Sequence, residues 1–297
     1  MAAILRIASW TSILRDGRSV CFRGRKGIEM KGFEKVKENI YRLTTSYKDI
    51  FTTVYLLKAS TGYVLFDAAS FDADIEEVLY PALCAMGVTQ EGLRYVFISH
   101  AHTDHAGGLK ALMAHFPEAV IVSRSEALAK KHEGRRIFNP VMGDMLLDTF
   151  RVIPIPGHTA DSAALLDVRT NTLITGDCLQ LYGIFGSEDW AANINFPAEH
   201  VQALQMLRGI EIDEILSAHD YHPYNYRAVG KEAVERYIKA CEEPLALMCR
   251  LIRENPSADD EAVRLLYNAS GRLPTVRARV IGAVREALAD GQLERIL

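Results

Sequence analysis

The first half of the chain alternates short apolar runs with turn residues, a pattern typical of β-strands. Ser60-Thr61-Gly62 separates two of these runs and predicts a hairpin turn. Between Asp72 and Met86 the apolar spacing becomes that of an amphipathic helix, and Gly87 is placed to end it. The strands predicted in this region are Asn39–Thr45, Thr53–Ala59 and Tyr63–Asp67.

A continuous apolar run, Leu93–Ser99, predicts a strand that is buried on both faces. It is followed by a predicted helix, Leu109–Phe116, which ends before Pro117, and by a further strand, Ala119–Ser123. This order predicts a βαβ unit. The segment directly after Ser99 then lies at the carboxyl end of a strand, the edge at which open α/β sheets bind their ligands.

The second half of the chain changes from short strands to helices. The predicted helical region begins near Arg227, so the pattern divides the chain into an extension (1–30), a mixed α/β domain (31–226) and a helical carboxyl-terminal region (227–297). The predicted elements are strands Phe150–Ile155, Ala163–Val168, Leu173–Thr175 and Glu214–Ser217, and helices Ala198–Leu207, Val229–Arg253, Asp259–Asn268 and Thr275–Ala289.

Composition narrows the classes of function. The chain has 297 residues, of which 49% are hydrophobic, and a net charge of -4, as expected for a globular protein with a sizeable core. The sequence lacks the concentrated basic surface that would predict a nucleic-acid partner. No apolar run approaches the ~20 residues that span a bilayer. The first thirty residues carry six basic and two acidic side chains. They are interpreted as a poorly ordered extension, with an organelle transit peptide as the alternative.

The five cysteines are odd in number, and no two of them have CxxC spacing. This pattern argues against a disulfide framework and against a thiolate zinc site. It favours a reducing compartment, and the cytoplasm is the predicted location.

Four metal-binding side chains lie within six residues, in the sequence His100-Ala101-His102-Thr103-Asp104-His105. In an extended segment His100 and His102 point to the same side, and paired imidazoles suit a cation such as zinc. A tight turn then brings Asp104 and His105 to a neighbouring point. The alternative, a chance cluster of loop residues, would bury three imidazoles without partners.

The run HAHTDH, followed by AGG, resembles the HxHxDH motif of the metallo-β-lactamase-fold superfamily, and the predicted βαβ setting matches. The resemblance covers about residues 39–226. It implies an α/β fold in the form of a four-layer αββα sandwich, to which this chain adds a helical carboxyl-terminal appendage. The HxHxDH pattern, rather than HxExD, argues against the flavodiiron branch.

The resemblance also implies the remaining metal ligands. His158 follows Pro156-Gly157, Asp177 follows Thr175-Gly176, and His219 follows Ser217-Ala218, each after a predicted strand. His222 is left as a substrate-facing or solvated residue. Three further histidines, His115, His132 and His200, are predicted to lie on the surface. The implied ligands are His100, His102 and His158 for one metal, Asp104, His105 and His219 for the other, and Asp177 between the two.

Two divalent metal ions at such a site imply a hydrolase in which a metal-bridging hydroxide attacks the substrate. Zinc is the expected metal, with iron and manganese as alternatives. Asp104 is also a candidate for orienting the nucleophile or for shuttling its proton. Tyr182, in the segment Leu181–Phe196, is interpreted either as a donor to the developing oxyanion or as a packing residue, and Tyr221 is a second such phenol.

The expected substrate is a small molecule, namely an ester, a lactone or a thioester. Two catalytic alternatives remain open. One is a mononuclear iron dioxygenase acting on a thiol or persulfide, and the other is a phosphodiesterase or nuclease of the same fold. A non-enzymatic alternative is a metal-stabilised scaffold whose helical region binds a partner or forms a homodimer.

Overall fold

Two β-sheets form the centre of the protein in a computed structural model that describes residues 32–185, 187, 189–271 and 276–293. The predicted extension, 1–30, lies outside these residues. The first sheet has seven strands in chain order, and the strands from β4 to β7 are parallel. Its strands are β1 (Glu34–Lys37), β2 (Ile40–Tyr47), β3 (Ile50–Ala59), β4 (Gly62–Phe66), β5 (Leu93–Phe97), β6 (Val120–Val122) and β7 (Ile137–Phe138).

The second sheet has six strands in the order β13-β12-β11-β10-β9-β8. Within it, the pair formed by β11 and β12 is parallel, and the other described pairs are antiparallel. Its strands are β8 (Met145–Leu146), β9 (Phe150–Pro154), β10 (Ala163–Asp167), β11 (Thr172–Ile174), β12 (Glu214–Tyr221) and β13 (Asn225–Val229).

The two sheets pack face to face over a common apolar core. Phe66 and Phe97 of the first sheet stack with ring centroids 5.2 Å apart, and they share this core with Val152 and Leu165 of the second sheet. The hydroxyl of Tyr55 donates a hydrogen bond of 2.6 Å to the Ser217 carbonyl across the interface. This bond satisfies a polar atom that burial would otherwise leave without a partner.

Helices cover the outer face of each sheet, so the predicted four-layer αββα sandwich with added carboxyl-terminal helices is confirmed. Against the first sheet lie α1 (Asp72–Asp74), a π-helical segment (Ile75–Leu79), α2 (Tyr80–Ala85), α3 (Thr103–Ala106), α4 (Leu109–His115) and α5 (Glu126–Lys131). Against the second lie α6 (Pro197–Leu207) and α7 (Lys231–Ala240), followed by α8 (Glu243–Glu254), α9 (Asp260–Ala269) and α10 (Ala278–Ala289).

The helical region differs from its prediction in two respects. The single helix predicted over Val229–Arg253 is two helices, because Pro244 lacks an N–H and occupies the first turn of α8. The boundary placed between residues 226 and 227 falls inside β13, and α7 packs on the second sheet. Helices α8, α9 and α10 form a separate apolar cluster, which also includes Ile194 and Val201.

The thiols of Cys178, Cys241 and Cys249 are free and buried. Cys84 differs because it is disulfide-bonded, which the number and spacing of the cysteines did not predict. Among the described residues, no helix combines the length and the apolar character needed to cross a membrane.

Candidate metal centre

The histidine-rich segment lies at the carboxyl end of β5, as the βαβ pattern predicts. It continues into α3, whose amino-terminal cap is His102, so Asp104 and His105 lie on the first turns of a short helix. Gly107 lies directly against the segment that follows β4, where a Cβ atom would collide with the Ser70 carbonyl oxygen. This close approach explains the glycine after the motif, because any side chain would push the loop away from the sheet.

Three imidazoles form the first group of possible ligands. The Nδ1 atom of His102 is 2.9 Å from Nε2 of His100 and 2.9 Å from Nε2 of His158. Nitrogen ligands at the usual distance from a tetrahedral zinc ion are separated by roughly 3.3 Å, so the three nitrogens converge on a volume of the right size. Burial lowers the pKa of His100 well below its ordinary value and that of His158 to about 4. Both rings are therefore neutral at pH 7, the form that binds metals.

Backbone contacts fix the orientation of His158. Its Nδ1 donates a hydrogen bond of 3.0 Å to the Asn193 carbonyl, and the side chain of Asn195 donates one of 2.7 Å to the His158 carbonyl. Because Nδ1 carries the proton, Nε2 presents its lone pair to the group.

A second group contains Asp104, His105, Asp177 and His219, whose ligand atoms all lie within 4.8 Å of one another. The Oδ2 atom of Asp104 is 3.3 Å from Nε2 of His105 and 3.4 Å from Nε2 of His219. The Nδ1 atom of His219 donates a hydrogen bond of 2.6 Å to the Phe51 carbonyl. Its Nε2 therefore faces the group, as in His158.

Asp177 contacts both groups through different oxygen atoms. Its Oδ1 is 3.1 Å from Nε2 of His219 and 3.5 Å from Nε2 of His105, in the second group. Its Oδ2 is 3.7 Å from Nε2 of His158, in the first group. A carboxylate placed in this way can offer one oxygen to each of two cations.

The donor atoms of the second group fit a divalent cation. His105 Nε2 and Asp177 Oδ1 are buried, and neither atom makes a well-aligned hydrogen bond among the described residues, although ionisable groups lie 3.1–3.5 Å away. Leaving such atoms unpaired costs about 1–3 kcal/mol each, and more for charged groups. A cation between them would satisfy both atoms, and the mixture of imidazole and carboxylate donors suits zinc, iron or manganese.

Without a cation, the charges of the second group stabilise one another. Burial opposes ionisation of His219, but Asp177 and Asp104 outweigh it and raise the pKa of His219 to about 9. In the same way, Asp104 and Asp177 overcome burial and raise the pKa of His105 well above its ordinary value. Burial favours neutral Asp177, yet His219 and His105 hold its pKa well below the usual range.

Asp67, which follows β4, also belongs to the centre and was not predicted from the sequence. Its Oδ2 accepts a hydrogen bond of 2.7 Å from Nδ1 of His105, and Oδ1 accepts one of 2.7 Å from the Ser99 amide. The side chain is fully buried and thus fixes the ring of His105. The only signal in the sequence was an aspartate at the end of a buried strand, where a charge needs a partner.

Replacing Asp67 with asparagine is expected to weaken metal affinity by about 10-fold to 100-fold, because the partner that orients His105 loses its charge. Competition with a fluorescent chelator measures this affinity. Asp167→Asn is the matched control, since Asp167 is equally buried and ion-paired, with Arg169. The control should lower stability and leave metal affinity unchanged, and equal affinity in the two variants would contradict the role of Asp67.

A cavity of about 240 Å³ opens above the two groups. Its floor contains residues of both ligand groups, and Tyr47, Ile50, Ile184 and Trp190 contribute the less polar walls. Arg277 and Arg279, at the start of α10, also line it. The helical region therefore supplies positive charge to the cavity.

The two predicted phenols have different positions. Tyr221 is buried and lines the cavity, with its hydroxyl oxygen 3.5 Å from Nε2 of Gln180. Tyr182 is not among the lining residues, because its hydroxyl donates to the Glu243 carboxylate at the start of α8. The structure thus brings Tyr221 to the site and places Tyr182 in the packing role.

The remaining histidines lie outside the cavity lining. His222 packs on Phe185, with ring centroids 3.4 Å apart, and His115 bonds to Glu76 on the surface. The surface prediction is wrong for His132 and His200, which are buried. Contacts with other elements, such as the bond from Nε2 of His200 to the Cys241 carbonyl, account for this burial.

Known proteins show similarity over the same region. A hydroxyacylglutathione hydrolase from Thermosynechococcus vestitus is 29% identical over 208 residues, covering 64% of this chain and 79% of its own length. The uncharacterized protein YobT of Bacillus subtilis is 29% identical over 171 residues, covering 48% of this chain and 69% of its own.

Solved structures show the same fold. A metallo-beta-lactamase family protein from Thermus thermophilus has a TM-score of 0.61 at 16% identity, and covers 86% of this chain and 95% of that one. A metallo-beta-lactamase from Hirschia baltica has a TM-score of 0.51 at 21% identity, and the match covers 72% of this chain and 98% of that one.

The family model described as the metallo-beta-lactamase superfamily matches residues 47–235. This range is more than half of the chain and includes both ligand groups. The chain therefore belongs to the metallo-beta-lactamase superfamily of metal-dependent hydrolases.

Proposed function

We propose that the protein uses two divalent cations, zinc being the best match to its donors, to hydrolyse a small thioester or ester that carries a negative charge. The observation that carries this proposal is the Asp177 carboxylate, which faces both ligand groups on the floor of one cavity. A second group that includes Asp104, His105 and His219 favours a dinuclear site over a mononuclear iron site.

Bound cations would polarise the substrate carbonyl and supply a deprotonated water at neutral pH. The residues of the chain provide positioning. Burial opposes ionisation of Asp104, but His105 and His219 hold its pKa below the usual range. As an ionised carboxylate, Asp104 can accept a hydrogen bond from the nucleophile and so orient it. Burial and Asp177 raise the pKa of Tyr221 well above its ordinary value, so this hydroxyl remains a donor.

The substrate class is proposed from one relative and from the cavity. The hydroxyacylglutathione hydrolase relative, by its name, acts on a thioester. The guanidinium groups of Arg277 and Arg279 are exposed at the cavity, and Arg279 donates a hydrogen bond of 3.2 Å to the side chain of Asn193. Arginine binds carboxylate and phosphate groups through paired hydrogen bonds, so these residues support an anionic substrate.

Replacing Arg279 with glutamine is expected to raise KM for an anionic thioester about 10-fold while changing kcat by less than about 3-fold, because a charge-assisted contact to the substrate is lost. A neutral thioester of similar size should be affected little. Arg250→Gln, on the exposed side of α8, is the control. An equal rise in KM for the charged and neutral substrates would contradict anion recognition by Arg279.

The function is tested with thioesters, lactones, phosphodiesters and β-lactams side by side on metal-loaded protein, together with elemental analysis. Two cations per chain and turnover of thioesters or esters are expected. Turnover of phosphodiesters alone would replace the proposal by a phosphodiesterase. Oxygen consumption with a thiol or persulfide, and one iron per chain, would replace it by a dioxygenase.

A further inference from the structure

Gln180 links the loop of the ligand Asp177 to Asn193, whose carbonyl contacts the ligand His158. Its side chain is only 2% exposed, and its Nε2 donates a hydrogen bond of 2.7 Å to the Asp177 carbonyl. Its Oε1 accepts one of 2.9 Å from the Asn193 amide. We propose that Gln180 is a positioning residue, which fixes the bridging carboxylate of Asp177 relative to the histidine ligand His158.

The second half of the connection runs through Asn193. Its carbonyl accepts the hydrogen bond from Nδ1 of His158, while its amide donates to Gln180. The order of contacts is therefore Asp177, Gln180, Asn193, His158. Since Oδ2 of Asp177 and Nε2 of His158 are 3.7 Å apart, these contacts set the distance between two ligands of the same cation.

Asn193 also contacts Arg279, the residue proposed to bind the anionic part of the substrate. The side chain of Asn193 accepts the hydrogen bond from Arg279, and both residues line the cavity. Movement of the Asn193 segment would therefore disturb the cation ligands and the anion contact together. Gln180 is the side chain that holds this segment to the loop of Asp177.

Glutamine suits this position because its amide offers one donor and one acceptor. Glutamate has the same size and could accept from the Asn193 amide, but it would place a carboxylate oxygen against the Asp177 carbonyl. Methionine has a similar volume and makes neither hydrogen bond. Gln180→Glu therefore removes the contact to Asp177, and Gln180→Met removes both contacts. Packing should change little in either variant.

The inference rests on the proposed metal site, and Co²⁺ serves as the probe because its visible absorption reports ligand geometry. Gln180→Met is expected to shift the Co²⁺ absorption bands and to release the cation to a chelator about 10-fold to 100-fold faster than the natural protein. The factor by which kcat falls should exceed the factor by which KM rises, because the substitution acts on the ligands of the cation. For Gln180→Glu, the band shift and the rate of cation release should lie between those of the natural protein and those of Gln180→Met.

Gln202→Met, on the exposed side of α6, is the matched control and should behave as the natural protein does. Unchanged absorption bands and unchanged cation release in Gln180→Met would overturn the inference. If Gln180→Met does not fold, the same two measurements on Gln180→Glu decide, because that variant keeps the contact to Asn193. Failure of the natural protein to bind any Co²⁺ is a separate result, which would refute the metal site itself.

Discussion

Replacing Asp177 with alanine is expected to lower kcat/KM for hydrolysis by a factor of about 10³ or more. The carboxylate faces both ligand groups, so its loss removes one ligand from each cation. It also removes one of the acids that raise the pKa values of His105 and His219, while Asp104 remains. The number of cations retained per chain should fall from two to about one, measured by elemental analysis after dialysis.

The fold should survive this substitution. Asp177 lies in a loop after β11 and contributes no side chain to the core between the sheets, so the far-ultraviolet circular dichroism should stay unchanged. Asp161→Asn is the matched control, because Asp161 accepts a hydrogen bond from Ala101 that asparagine can also accept, and it belongs to neither ligand group. An Asp177→Ala variant with the activity of this control would refute a bridging role.

The sequence was most informative at the ends of strands. His100 follows an apolar run of the first sheet, whereas His158 and Asp177 follow apolar runs of the second. The polar residue after such a run lies at the edge of its sheet. A short apolar run therefore predicts the strand and also places the polar residue that follows it. The assignment of the residues after β5, β9 and β11 and within β12 to one site came from the resemblance to the metallo-β-lactamase fold, because the apolar pattern does not show how two sheets pack.

Side-chain direction was beyond the sequence pattern. Tyr182 and Tyr221 are both tyrosines near ligands, yet one donates to Glu243 and the other lines the cavity. Arg277 is a still clearer case. It is 58 positions after His219 in the chain, and the packing of α10 against α6, α8 and α9 brings it to the cavity.

The apolar pattern did not predict strands β7, β8 and β13, and each omission has a physical explanation. The edge strands β7 and β8 have two residues each, too few to show a period of two. β13 pairs with β12 through a tight turn that contains Pro223, and its residues Asn225–Val229 do not alternate clearly between apolar and polar. Pairing with a neighbouring strand, rather than local propensity, determines such elements.

Removing the cations with a chelator is expected to abolish hydrolysis and to lower the thermal unfolding midpoint by on the order of 15–30 °C. A ligand present at 1,000 times its dissociation constant stabilises a native protein by about 4 kcal/mol, and two cations contribute twice. A change of 1 kcal/mol in the free energy of unfolding shifts the unfolding midpoint by about 2–4 °C for a domain of this size. Differential scanning calorimetry before and after chelation measures the shift, and re-addition of Zn²⁺ should restore it.

The two ligand groups should also differ in how cation binding depends on pH. His105 and His219 are charged at pH 7 when no cation is bound, since Asp104 and Asp177 raise their pKa values, that of His219 to about 9. The imidazoles of the first group are neutral, because burial lowers the pKa of His100 and His158. Binding requires neutral rings, so the second group must release about two protons and the first group none.

Affinity of the second group should therefore fall as pH decreases from about 9 to 7, by up to about 100-fold per pH unit, whereas affinity of the first group stays constant. Calorimetric titration with Zn²⁺ in two buffers of different ionisation enthalpy counts the protons released with each cation. Any ionisation of a bound water adds to this count, so the decisive quantity is the difference between the two binding steps. Equal proton release in both steps would contradict the assignment of charged histidines to the second group, and with it the electrostatic account of why Asp177 stays ionised.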